Sequence, residues 1–267
     1  MRRVFINLCV SILMVSLSSC DSDNDDVLTR SIEKQYVSSS TCFDLAAPSD
    51  AYIYPIAAGT SEWSSLSNDE QVRLTTIPFS MLNKMSTSGL IISLFDHPLF
   101  PMFTFSDNWA ESFDNTIKVL CSNIYQEMIN RADVGNSLLQ LYKVYNPNSK
   151  DNKASCTLHV HDGILLLSSM PEFYGKFTKA EKKDFLRTAL EKNMSQVSLI
   201  KQAGSNDTDN PVSINVGGFI ESFVNIMLSE NYEPMLKYVE ENRVNANVWE
   251  VYPLFDIITM AESFIND

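Results

Sequence analysis

Cys156, His159 and His161 lie within six residues of one another, with Asp162 adjacent. Thiolate, imidazole and carboxylate are the ligand types zinc prefers, so this stretch is the first candidate for chemistry, and the chemistry would be metal-dependent hydrolysis. The spacing weakens it. His159 and His161 share a face in an extended segment but diverge by about 200° on a helix at roughly 100° per residue. Residues 157–161 precede Gly163 and can be extended. Strong zinc signatures carry two spaced ligand pairs, whereas this stretch is one loose cluster, so no metal cofactor is expected. Alanine at both His159 and His161 is then expected to cost only about 0–2 kcal/mol, the usual range for a satisfied or exposed side chain.

Asp96 beside His97 and Glu62 beside Trp63 are the next candidates for acid and base, with Trp63, Asp96 and His97 as a conceivable ligand groove. Each pair lacks a third group to orient it, so capping and packing are the preferred roles. The chain contains no Gly-x-Ser-x-Gly and no phosphate-cradling glycine loop; Gly217-Gly218 is an isolated pair that eases a helix start. Trp63, Trp109, Trp249, Tyr232, Tyr238 and Tyr252 would suit a glycan or peptide groove, but most sit on apolar stripes and are expected in the core.

The elements that must position these residues are helices. Ser67 with Glu70 forms a capping box opening a helix through Arg73, Pro78 suits the start of another through Met85, and Ser86 caps a third that Pro98 stops. Leu90, Ile91, Leu94 and Phe95 keep three- and four-residue spacing. The same spacing continues through Trp109, Phe113, Ile117, Leu120 and Cys121, then Ile124, Tyr125, Met128 and Ile129, then Leu138, Leu139, Tyr142 and Tyr145. A polar loop, residues 146–153, divides two sets of helices. Thr178 and Glu181 form a second capping box ahead of Phe185, Leu186, Ala189 and Leu190. After a turn-rich loop at 204–210, apolar faces recur at Phe219, Phe223, Ile226 and Met227, at Met235, Leu236 and Val239, and from Leu254 to Phe264. Tyr52 to Ile56, β-prone but interrupted by Pro55, reads as an extended lead-in. The expected fold is all-α, stacked antiparallel helix pairs in a single domain spanning residues 43–267.

The N-terminus carries an address. Arg2 and Arg3 precede an apolar stretch from Val4 to Leu17, a charged start and short core of the secretory type that is too short to cross a bilayer. Leu17-Ser18-Ser19-Cys20 resembles the lipobox of bacterial lipoproteins, which implies that residues 1–19 are removed as a signal peptide and that Cys20 is acylated. Residues 20–42 are polar and acidic and read as a tether. The acidic cluster Asp21 to Asp26 resembles the export signal that sends some Gram-negative lipoproteins to the cell surface. A single Asp after the cysteine is similar instead to the inner-membrane retention signal of enteric bacteria, and the run of acids favours the outer membrane and surface.

Charge narrows the partners. Residues 1–19 hold two arginines and no acid, so the remainder carries 18 Lys and Arg against 33 Asp and Glu, net −15. Nucleic acid is a poor partner for such a chain, whose densest basic cluster, Lys179 to Lys183, has three lysines interrupted by Glu181 and reads as a solvated helix face. Membrane association must come from the N-terminal lipid. Of five cysteines, Cys9 leaves with the signal and Cys20 takes lipid, leaving Cys42, Cys121 and Cys156; this odd remainder reads as buried free thiols in a chain long enough to bury its own core.

Tyr54-Pro55-Ile56, Gly59 to Trp63, Ile77-Pro78, Met85-Ser86-Thr87 and His97-Pro98-Leu99 together resemble a family of secreted bacterial proteins with no assigned activity. In that family the block is followed by a helical stretch similar to Arg131-Ala132-Asp133 through Leu138-Leu139 and Tyr142. The resemblance spans residues 52–145 and implies a shared helical module without catalytic residues to carry over. The expected function is therefore a membrane-anchored, exported interaction or binding module for a protein or extracellular ligand. The alternative is an envelope metal-dependent hydrolase built on Cys156, His159 and His161.

Overall fold

The computed structural model describes residue 43 and residues 48–105, 109–145, 160–203, 216–242 and 252–267. The fold is all-α: 74% of these residues are helical. No strand occurs among them, and β pairing is confined to an isolated antiparallel bridge between Phe43 and Tyr145. The loops at 146–153 and 204–210 lie outside the described residues. Two compact units divide the chain: Tyr54–Thr76 belong to one, and Ile77–Asp267, with the described residues before Tyr54, to the other.

In the smaller unit, α1 (Ser61–Ser65) and α2 (Asn68–Thr75) follow a turn at Gly59, whose φ of 81° suits glycine. Thr60 caps α1 by accepting from the Trp63 N–H at 3.1 Å. The expected capping box opens α2: the Ser67 N–H donates to Glu70 at 2.9 Å and the Glu70 N–H to Ser67 at 3.4 Å. The helix runs two residues past Arg73.

In the larger unit, α3 (Phe79–Leu82) ends before Met85, because residues 83–85 tighten into turns that free Ser86 to cap α4 (Thr87–Phe95). Ser86 accepts from the Gly89 N–H at 3.0 Å. Asp50 takes the Ser86 N–H at 2.6 Å, and Tyr52 N–H donates to Ser93 Oγ at 2.7 Å, so the extended lead-in is fastened along α4. α4 is buried on nearly every face and packs against α6 (Ser122–Asn130) and α7 (Val134–Lys143).

Between α4 and α6 the apolar stripe does not run as one helix. A 3-10 segment (Phe100–Phe105), α5 (Trp109–Asn115) and a π-helical segment (Thr116–Leu120) intervene. The Cys121 N–H donates to the Thr116 carbonyl at 3.1 Å, and the extra residue in that turn keeps Ile117, Cys121 and Ile124 buried while placing Lys118 outside the apolar stripe.

The second half comprises α8 (Asp162–Ser169), α9 (Pro171–Tyr174), α10 (Lys179–Ala203), α11 (Val216–Ser229), α12 (Glu233–Asn242) and α13 (Tyr252–Asn266). α8 packs on α11, and α10 on both α7 and α13. The Thr178–Glu181 capping box forms as expected, and Phe185, Leu186, Ala189 and Leu190 are buried. Leu236 departs from its expected stripe and is 44% exposed beside the buried Met235, because the short α12 buries a narrow face. Lys182, from the cluster read as a solvated face, is instead buried and ties α10 to α11, donating to Glu230 at 2.6 Å and to Ser229 at 2.9 Å.

Candidate functional site

The residues singled out from sequence do not all fall on described positions. Cys20, Cys42, Cys156, His159 and Trp249 lie outside them. Among the described residues no group of three or more His, Cys, Asp or Glu is placed to hold a metal.

His161 is described, and its backbone is helical, with φ −59° and ψ −54°, so the extended reading of its segment does not reach it. The ring is buried at 4% exposure and stacks on Tyr145 at 5.3 Å between centroids. Its Nε2 lies 3.1 Å from the Tyr142 hydroxyl and its Nδ1 3.5 Å from Asp162. A metal-bound histidine commonly turns one nitrogen to a carboxylate and leaves the other for the ion. Here Tyr142 occupies that other nitrogen. Burial also changes the expected stability effect: His161→Ala should cost about 2–3 kcal/mol, since it removes the contact with the Tyr142 hydroxyl and the stack on Tyr145 and leaves a void. Urea unfolding with and without a chelator checks this. A loss under about 1 kcal/mol, or a midpoint that chelator lowers only in the wild type, would contradict it.

Trp63, Asp96 and His97 are buried where they stand, at 6%, 8% and 1% exposure. Trp63 belongs to the 54–76 unit; Asp96 and His97 belong to the larger one. Asp96 ends α4, and His97 Nδ1 accepts the Leu99 N–H at 3.1 Å, closing the turn ahead of the 3-10 segment. These are local structural roles. Of the candidate tyrosines, Tyr232 packs edge-on against Phe264 at 5.2 Å. The Cys121 thiol is free and fully buried, and burial pushes its titration far above the usual range, so it stays an unreactive thiol.

A cleft of about 220 Å³ opens elsewhere, where α5 and the π segment face α8, α9 and α11. Phe113, Leu166, Met170 and Pro171 supply its apolar wall. Asp114, Lys118, Glu172 and Asn225 supply its polar side. The elements explain the convergence. Phe113 and Asp114 close α5, the π turn brings Lys118 round beside them, and Pro171 at the first position of α9 places Glu172 in that helix's first turn. Asn225 Nδ2 donates to the Ser169 carbonyl at 3.0 Å, which holds α11 to the end of α8.

The charges form one network. Lys118 Nζ is paired with Asp114 and lies 3.6 Å from Glu172 Oε1, which also accepts from the Tyr125 hydroxyl at 2.9 Å. Partial burial opposes the charge on Lys118, but the two carboxylates outweigh it and raise its pKa. Burial likewise opposes ionisation of Glu172; its own backbone N–H, Tyr125 and Lys118 outweigh that and lower its pKa. Tyr125 is pushed up by burial and by Glu172 and remains a donor. At neutral pH Lys118 is therefore held as a cation and Glu172 as an anion. Glu172 Oε2 is buried and has no hydrogen-bond partner.

Sequence reasoning did not select Lys118, Glu172 or Asn225. Asp114 and Lys118 at i and i+4 carry a local signal for an ion pair, but the Tyr125–Glu172 and Ser169–Asn225 contacts span 47 and 56 residues. No protein family, curated protein or solved structure matches this chain.

Proposed function

We propose that this protein is an exported, lipid-anchored binding module that holds a small ligand in the cleft between α5 and α8–α9. One observation carries the binding reading: an apolar wall with a few convergent polar groups, the common make-up of ligand sites, on a π turn of the kind frequent at functional sites. The charge states favour binding over acid–base catalysis. A general base works best with a pKa near the working pH, and both shifts here run away from neutrality. The anchoring half of the proposal rests on Leu17 to Cys20 and on the acidic run behind them. No helix among the described residues is long and apolar enough to cross a membrane.

Ligand-observed NMR on the full chain tests the cleft with three phenyl compounds of one size, bearing an ammonium, a hydroxyl or a carboxylate. At least one should show saturation transfer, and Asn225→Phe, which fills the cleft and gives up the Ser169 hydrogen bond, should remove it while the chain still unfolds in one cooperative step at a midpoint lowered by only a few degrees, about 1–2 kcal/mol for a chain this size. If none of the three binds, or Asn225→Phe binds them all as the wild type does, the binding-module reading fails.

A further inference from the structure

We infer that the cleft selects a small organic ammonium ion with a compact apolar body, an assignment that rests on the binding reading above. Size sets the first limit. An enclosed cavity of about 150 Å³ accommodates benzene, so 220 Å³ has room for a ring and a short ammonium-bearing arm.

Polarity sets the second. The wall of Phe113, Leu166, Met170 and Pro171 offers an aromatic face and a thioether, both favourable partners for a ring. Opposite it, Lys118 is matched against both Asp114 and Glu172, which leaves one uncompensated negative charge at the cleft. The net charge of the whole chain, −13, has the same sign and adds to the attraction of cations.

The third argument concerns Glu172. Its Oε1 is engaged by Tyr125 and Lys118, while Oε2 is buried and accepts from no other side chain. A buried acceptor in that state is costly, and an N–H donor from a ligand relieves the cost. Glu172 lines the cleft and its last torsion is broad, so the carboxylate can adjust to a donor placed there. An anionic ligand meets the opposite situation, because Lys118, the one cation among the described residues lining the cleft, is already shared by two carboxylates.

The experiment compares phenethylammonium, 2-phenylethanol and 3-phenylpropionate against the full chain by titration calorimetry and ligand-observed NMR. Phenethylammonium is expected to bind about tenfold or more tightly than 2-phenylethanol, as a charge-assisted hydrogen bond requires, with 3-phenylpropionate weakest. Glu172→Gln should cut the ammonium's advantage over 2-phenylethanol to about threefold or less; Asp114→Asn, on a partly exposed helix end, gives a second reading of the same charge. If 2-phenylethanol or 3-phenylpropionate binds as tightly as the ammonium, or the advantage survives both variants, the cation assignment is overturned and the cleft remains a binding site. If no compound binds, the assignment and the binding reading fall together.

Discussion

Phe100→Ala is expected to lower the free energy of unfolding by about 3–5 kcal/mol, the usual cost of removing a fully buried phenylalanine ring. Phe100 has no exposed surface. Its ring meets Phe95 at 5.5 Å, Phe103 at 5.3 Å and Phe113 at 5.9 Å, all in edge-on geometries that add to simple burial. A helix also closes over it: a Cβ built on Gly163 would stand 2.9 Å from the Phe100 ring, so α8 approaches to the limit that glycine allows. The void left by alanine cannot collapse easily when four elements meet there. Small domains are stable by only about 5–15 kcal/mol, so this is a large fraction of the whole. Phe113 is both a neighbour of Phe100 and part of the cleft wall, and the variant should therefore also weaken binding of the phenyl probes. Urea unfolding at two wavelengths measures the loss. A cost below about 1 kcal/mol would show that the aromatic cluster is not the packing centre of this region.

Cys20→Ser should move the protein completely from the detergent phase to the aqueous phase in Triton X-114 partitioning. Each buried methylene contributes about 0.8 kcal/mol to membrane affinity, and two acyl chains suffice for stable attachment where one is marginal. Nothing else in the chain is expected to substitute for them. The charge left after residues 1–19 is strongly negative, which opposes binding to anionic lipid surfaces. A Cys20→Ser protein that stayed in the detergent phase would overturn the lipoprotein reading.

The helix starts at Ser67, Ser86 and Thr178 were legible because a cap uses residues three apart, and Glu70 and Glu181 complete two of them. The buried faces at 185–190 and 223–227 were legible for the same reason of short period. The π turn at residues 116–120 was not. A π turn inserts one residue into a helical stripe without removing any apolar residue, so spacing alone reads Phe113 to Met128 as continuous. Lys182 was misjudged on similar grounds, since its neighbours Lys179 and Lys183 are charged and exposure looked uniform. Burial of its ammonium depends on Glu230, 48 residues away, which the spacing of charges cannot show.

By itself, then, the order of residues determined what is local: the all-α class, the caps, the apolar stripes and the acidic balance. Each depends on interactions within about four residues, or on simple counting. The tertiary structure decided which polar side chains lose water and which charges meet. It drew His161 into an aromatic stack with Tyr145 and a contact with Tyr142, kept Asp96 and His97 in a turn, and set Lys118 against Glu172 over the cleft. Those outcomes follow from how α5, α8, α9 and α11 pack, and packing couples residues about 50 positions apart whose types carry no sign of their partners.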